Sequence, residues 1–112
     1  MTDYEINIAL CKWDGWKFQQ GEEPAYGAPY KATGWFNPQG VFLSGKNANP
    51  RYTTSLDALA PLEARLTEEQ WDRYLDEVME VVGFNRRHIF SATAAQKASA
   101  LVRALGLDGR EV

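Results

Sequence analysis

Three times in this chain a threonine stands three residues ahead of a Glu or Gln at the head of a helically spaced apolar pattern: Thr2 with Glu5, Thr67 with Gln70, and Thr93 with Gln96. In such a box the threonine hydroxyl accepts from the backbone N–H three residues on, and the Glu or Gln side chain accepts from the threonine N–H. Two amides that a first helical turn leaves without partners are thereby satisfied reciprocally. The boxes fix three helix starts. The first helix is expected to run to about Trp13, with Ile6, Ala9, Leu10 and Trp13 on one face. The second should run to about Val82 and stop at Gly83, with Trp71, Tyr74, Leu75, Val78 and Val82 inward. The third buries Ala94, Ala98, Leu101, Val102 and Leu105, takes Gly106 as a left-handed C-cap, and lets Leu107 fold back. A fourth helix is expected from about Ser55 to Leu66 through Leu56, Leu59, Leu62 and Leu66. Pro61 lacks an N–H and crowds the preceding turn, which predicts a kink or restart there.

Between the first box and the second, helix formers give way to Gly, Pro and aromatic residues. Asn37-Pro38-Gln39-Gly40 fits a type I turn, with Pro setting φ at its second position and Gly at its fourth. It joins a strand over residues 30–36 to one over 41–44. A lone hairpin is marginal in water, so the short runs 16–19 and 87–91 are read as further strands of the same sheet. Residues 20–28 and 45–50 read as loops. The fold class that follows is α+β, a small antiparallel sheet packed with about four helices. At 112 residues the chain has the size of one ordinary domain, so residues 1–112 are read as a single domain.

Charge is segregated along the chain. Residues 24–55 hold no acid, only Lys31, Lys46 and Arg51, and residues 81–107 again hold none, only Arg86, Arg87, Lys97 and Arg103 as formal cations. Between them Asp57, Glu63, Glu68, Glu69, Asp72, Asp76, Glu77 and Glu80 face only Arg65 and Arg73, so the second boxed helix should present a negative outer face. With a net charge of −3 and so few cations, duplex nucleic acid is excluded as a partner, while a small anionic ligand is allowed. No run approaches the roughly 18 apolar residues of a membrane span, and the acidic start Met1-Thr2-Asp3-Tyr4-Glu5 is unlike a secretory signal. The single Cys11 forms no intrachain disulfide and is read as a packed thiol. Cytoplasm is the expected compartment.

The inventory for catalysis is thin. His88 is the only histidine and Cys11 the only thiol, so any Ser-His-Asp or Cys-His arrangement has to use His88, and no nucleophile-elbow sequence exists. The further His and Cys ligands of a zinc site are absent, no carboxylate spacing resembles a calcium loop, and no glycine-rich phosphate cradle occurs. The reading is a protein that is not an enzyme, with no catalytic residue, no metal and no cofactor.

What the two acid-free segments do hold is aromatics among cations. Trp13, Trp35, Phe36 and Phe42 are expected in the core, where aromatics supply much of the buried area. Trp16, Tyr26 and Tyr52 lie in loop-like sequence beside Gly or Pro, where a ring serves equally as core or as a platform for a base. Lys46, Arg51, Arg86 and Arg87 could pair with phosphate, with His88 alongside. The sharpest junction is Arg51-Tyr52-Thr53-Thr54-Ser55, where a loop meets a helix start whose free amides and hydroxyls suit an anion. Its plainer reading is that Thr54 or Ser55 caps the helix, with Asp57 in the first turn. Arg86-Arg87-His88 has a plain reading too, as the solvated start of a strand.

The run Pro50-Arg51-Tyr52-Thr53-Thr54-Ser55-Leu56-Asp57-Ala58 ahead of a helix resembles a segment of phage ABA-sandwich proteins. A first helix closing on Gly15-Trp16, a helix carrying Trp71 and Tyr74, and Ala92-Thr93-Ala94-Ala95-Gln96 ahead of the last helix follow in the order that family shows. The resemblance implies an α/β/α sandwich of phage or prophage origin. It also implies a sponge that sequesters a small nucleotide-derived immune signal, such as a cyclic ADP-ribose-type molecule, and so counteracts bacterial defence. The ligand-contacting residues would then be Trp16, Tyr26, Lys46, Arg51, Tyr52, Thr53, Thr54, Ser55, Arg86, Arg87 and His88. The alternative is a protein-interaction module with no small ligand, using exposed aromatics and the small-residue face of Ala95, Ala98 and Ala104. A homo-oligomer is expected, since a domain this small closes a deep pocket most easily at a symmetric interface.

Overall fold

In the computed structural model, residues 1–21, 31–83 and 92–108 are described, and they form four helices and a three-stranded antiparallel sheet, an α+β fold. The helices are α1 (Asp3–Asp14), α2 (Leu56–Glu63), α3 (Glu68–Val82) and α4 (Ala94–Ala104), and the strands are β1 (Lys17–Gln19), β2 (Gly34–Phe36) and β3 (Phe42–Ser44). Internal contacts divide the chain into two compact units. One is Met1–Leu10 with Arg51–Val112, and the other is the continuous stretch Cys11–Pro50. The strand expected over residues 87–91 and most of the loop at 20–28 fall outside the described residues.

In the first unit each helix starts where its cap puts it. Thr2 accepts from the Glu5 N–H at 3.2 Å and Glu5 Oε1 accepts from the Thr2 N–H at 3.0 Å. The Thr2 backbone bond, then the hydroxyl bond, hold the Glu5 carboxyl below the usual glutamate value. The same reciprocal pair closes at Thr67 with Gln70 and at Thr93 with Gln96. Gly83, at φ 88°, ends α3 in the left-handed region that only glycine adopts at little cost. After α4 the chain makes a Schellman turn: Leu107 N–H bonds Val102 O at 2.9 Å and Gly106 N–H bonds Arg103 O at 3.1 Å.

α2 is shorter than the helix expected to Leu66. It runs through Pro61 and stops at Glu63, after which Arg65 and Leu66 close tighter i→i−3 bonds onto Leu62 and Glu63. Both α2 and α3 pack on α4. Leu59, Leu62, Tyr74, Val78, Ala98, Leu101 and Val102 are all buried there. Each large aliphatic side chain removed from water contributes on the order of 1.5–3 kcal/mol. The small residues Ala98, Ala100 and Ala104 are buried too, which gives the neighbouring helices close access to the α4 backbone.

In the second unit the strands run in the order β1-β2-β3, with Phe18 opposite Trp35 opposite Leu43 and Lys17 opposite Phe36 opposite Phe42. Asn37 builds the β2–β3 turn. Its carbonyl accepts from Gly40 N–H at 2.9 Å, and its side-chain oxygen accepts from Gln39 and Val41. Gly40 sits at φ 85°, the left-handed residue that follows a type I turn in a hairpin of this kind. Cross-strand ring pairs, Phe18 with Trp35 and Phe36 with Phe42, each have centroids 5.1 Å apart. Trp35 is 3% exposed and its indole N–H donates to Lys46 O at 2.9 Å. The ends of the stretch also meet: Cys11 Sγ lies 3.8 Å from Pro50 O and accepts from Asn49 Nδ2 at 3.4 Å.

Candidate functional site

The junction before α2 is built from inside the first unit. Asn7, on α1, donates through Nδ2 to Thr53 Oγ1 at 3.1 Å and accepts through Oδ1 from Thr53 N–H at 3.0 Å. Thr53 is buried, and Tyr52 is 1% exposed, so its ring offers no face to a ligand. Thr54 donates its hydroxyl to Arg51 O at 3.3 Å, closing a turn that also holds the Thr54 N–H on the same carbonyl. Ser55 is the N-cap of α2 and accepts from Ala58 N–H at 3.2 Å. The junction is thus a tightly bonded helix start, and only Arg51 and Thr54 are exposed. Sequence reasoning weighed the cap and missed Asn7, whose partner lies too far along the chain for any local pattern to register.

Two further expected contacts, Trp16 and Lys46, belong to the second unit. Trp16, half-buried, donates its indole N–H to Asp14 Oδ2 at 3.2 Å. Lys46 is exposed. Tyr26, Arg86, Arg87 and His88 lie outside the described residues. Among the described residues no group of three His, Cys, Asp or Glu is placed to hold a metal ion, and no helix is long and apolar enough to cross a membrane.

The outer side of α3 departs most from expectation. Tyr74 and Val78 are buried as the periodicity requires, but Trp71 and Leu75, one turn apart, are 40% and 38% exposed. Trp71 leans on Tyr74, with ring centroids 5.4 Å apart. Glu68, Glu69, Asp72, Asp76 and Glu80 are exposed on the same helix against one exposed cation, Arg73, so the apolar pair sits on a predominantly acidic helix. Glu77 differs from its neighbours: its Oε2 is buried and lies 3.6 Å from Arg103 Nη1 on α4. Of the small-residue face expected to associate, Ala98 and Ala104 are buried within the chain and Ala95 is half-buried.

No family model, no curated protein and no solved structure matches this chain.

Proposed function

We propose that the protein is a non-enzymatic interaction module whose α3 outer face docks a cationic amphipathic segment of a partner protein. The observation that carries this reading is the exposure of Trp71 and Leu75 one helical turn apart on the acid-rich helix. Tryptophan is among the residues that most often dominate interface energies, and an apolar pair at i, i+4 matches the knobs of an approaching helix. The surrounding carboxylates choose the partner's sign. A second copy of the same face would set acid against acid, so a basic segment is favoured over self-association here.

Sequestration of a nucleotide-derived signal takes second place. Of the junction that would hold the phosphate, Tyr52 is buried and the side chains of Thr53, Thr54 and Ser55 are each bonded to protein atoms, which leaves Arg51 as the side chain of that junction open to a ligand.

The test uses two designed helical peptides of equal length, one Leu/Lys and one Leu/Glu, titrated into the protein while amide shifts are followed. The Leu/Lys peptide should bind with shifts centred on α3, the Leu/Glu peptide should not bind, and the double variant Trp71→Ala, Leu75→Ala should weaken binding about ten-fold or more. Unchanged affinity in the double variant would mean bare charge attraction and would sink the proposal. A melting-temperature rise with adenine dinucleotides or cyclic nucleotides, lost in Arg51→Ala, would instead favour the nucleotide reading.

A further inference from the structure

A cleft of ≈ 270 Å³ opens in the first unit and is lined by Met1, Ile6, Ser99, Val102, Arg103 and Asp108, with neither Trp71 nor Leu75 among its lining. Ser99 and Arg103 lie one turn apart on α4, and Asp108 follows the Schellman turn that ends the helix. Arg103 is held on one side by Glu77 at 3.6 Å, a distance for an ion pair rather than a hydrogen bond. The other N–H donors of the guanidinium and the Ser99 hydroxyl have no hydrogen-bond partner among the described residues. Asp108 supplies charge of the opposite sign, and a carboxylate has enough lone pairs to accept from a ligand as well as from the protein. Met1, Ile6 and Val102 provide the apolar wall.

We propose that this cleft binds a free α-amino acid with an apolar side chain. The ligand carboxylate sits on Arg103 and Ser99, its ammonium lies toward Asp108 and the carbonyl end of α4, and its side chain lies against Ile6 and Val102. Size supports the choice, because the cleft is smaller than the roughly 300–1,000 Å³ of sites for drug-sized molecules. Glu77 keeps the guanidinium in place before the ligand arrives, so less side-chain freedom is lost on binding.

The probes are leucine, 4-methylpentanoate, which lacks the ammonium, and 3-methylbutylamine, which lacks the carboxylate, each titrated while backbone amide shifts are recorded. Leucine should give saturable shifts at Ser99, Val102, Arg103 and Asp108, and each analogue should bind about ten-fold more weakly or worse. Arg103→Gln should weaken leucine about ten-fold or more. Because that change also removes the Glu77 pair, Ser99→Ala serves as the milder variant and should weaken leucine about three-fold with an unchanged melting temperature. Asp108→Asn should erase the preference for leucine over 4-methylpentanoate. Shifts that do not saturate, equal affinity for leucine and 4-methylpentanoate in the unaltered protein, or leucine affinity indifferent to both Arg103→Gln and Ser99→Ala would each overturn the assignment. Since the α3 peptide test reads a different face, either result stands when the other fails.

Discussion

Tyr74 on α3 donates its hydroxyl to Glu63 Oε2, the last residue of α2, across 2.9 Å. The bond ties two helices that both pack on α4, and it couples their contact to pH. Burial first, then the Glu63 carboxylate and the hydrogen bond to it, push the Tyr74 hydroxyl well above the ordinary tyrosine value. In the unfolded chain the same phenol titrates near pH 10. Below that pH both states are protonated and the contribution is fully present. Above it the unfolded state loses a proton that the folded state keeps, so stability falls as pH rises, by up to about 1.4 kcal/mol per pH unit. Urea unfolding between pH 8 and pH 11 should show this decline, expected from about pH 10 upward. Tyr74→Phe should flatten it while costing about 1–3 kcal/mol near neutrality through the lost bond to a charged acceptor. An unchanged decline in the variant would remove Tyr74 as its source.

Asn7 should matter more than its half-buried position on α1 suggests. Asn7→Ala leaves the Thr53 N–H, in a buried residue, without its acceptor and should cost about 1–3 kcal/mol. Asn7→Asp keeps an oxygen for that N–H and presents another to the Thr53 hydroxyl, which can turn to donate, so it should cost less. Chemical denaturation ranks the three proteins, and faster hydrogen exchange at the Thr53 amide in the Ala variant locates the damage.

Gly34 and Gly40 should fail for different reasons when changed to Ala. A Cβ on Gly34 would run into Leu43 O on the neighbouring strand and come within 2.6 Å of the Phe42 ring, so β2 and β3 have to part, at a cost of about 1–3 kcal/mol. A Cβ on Gly40 meets nothing within 4 Å, and only its left-handed φ of 85° is penalised, by about 1–2 kcal/mol. Thermal melts measure both costs. Strand amide shifts should move broadly in Gly34→Ala and only around the turn in Gly40→Ala.

Features written within a few residues of each other were legible in the sequence. The Thr67 and Thr93 boxes, the Gly83 stop, the Gly106 turn and the Asn37–Gly40 hairpin all depend on neighbours in the chain, and all are present. Pro61 lies inside α2 near its C-terminal end, so the i→i−4 bond it cannot donate is lost within a helix of only eight residues. What the pattern could not tell was whether an apolar position has anything to pack against. Trp71 and Leu75 share the spacing of Tyr74 and Val78, but α4 covers only the latter side of α3. The candidate site was legible as a helix start and no further. The burial of Tyr52 and the bonding of Thr53 to Asn7 depend on a segment brought back from the other end of a long excursion.

That excursion has a kinetic consequence. The helical unit is discontinuous in sequence, so bringing Asn7 to Thr53 carries the loop-closure entropy of everything between them. The sheet unit is one continuous stretch whose pairings join neighbouring strands, the kind of local topology that forms quickly. Because its first and last residues, Cys11 and Pro50, are in contact, forming the sheet unit first would already close most of that loop. Folding in the order sheet first, helices second spreads the entropic barrier over two smaller steps. A lesion that slows the hairpin should therefore delay the distant helices as well.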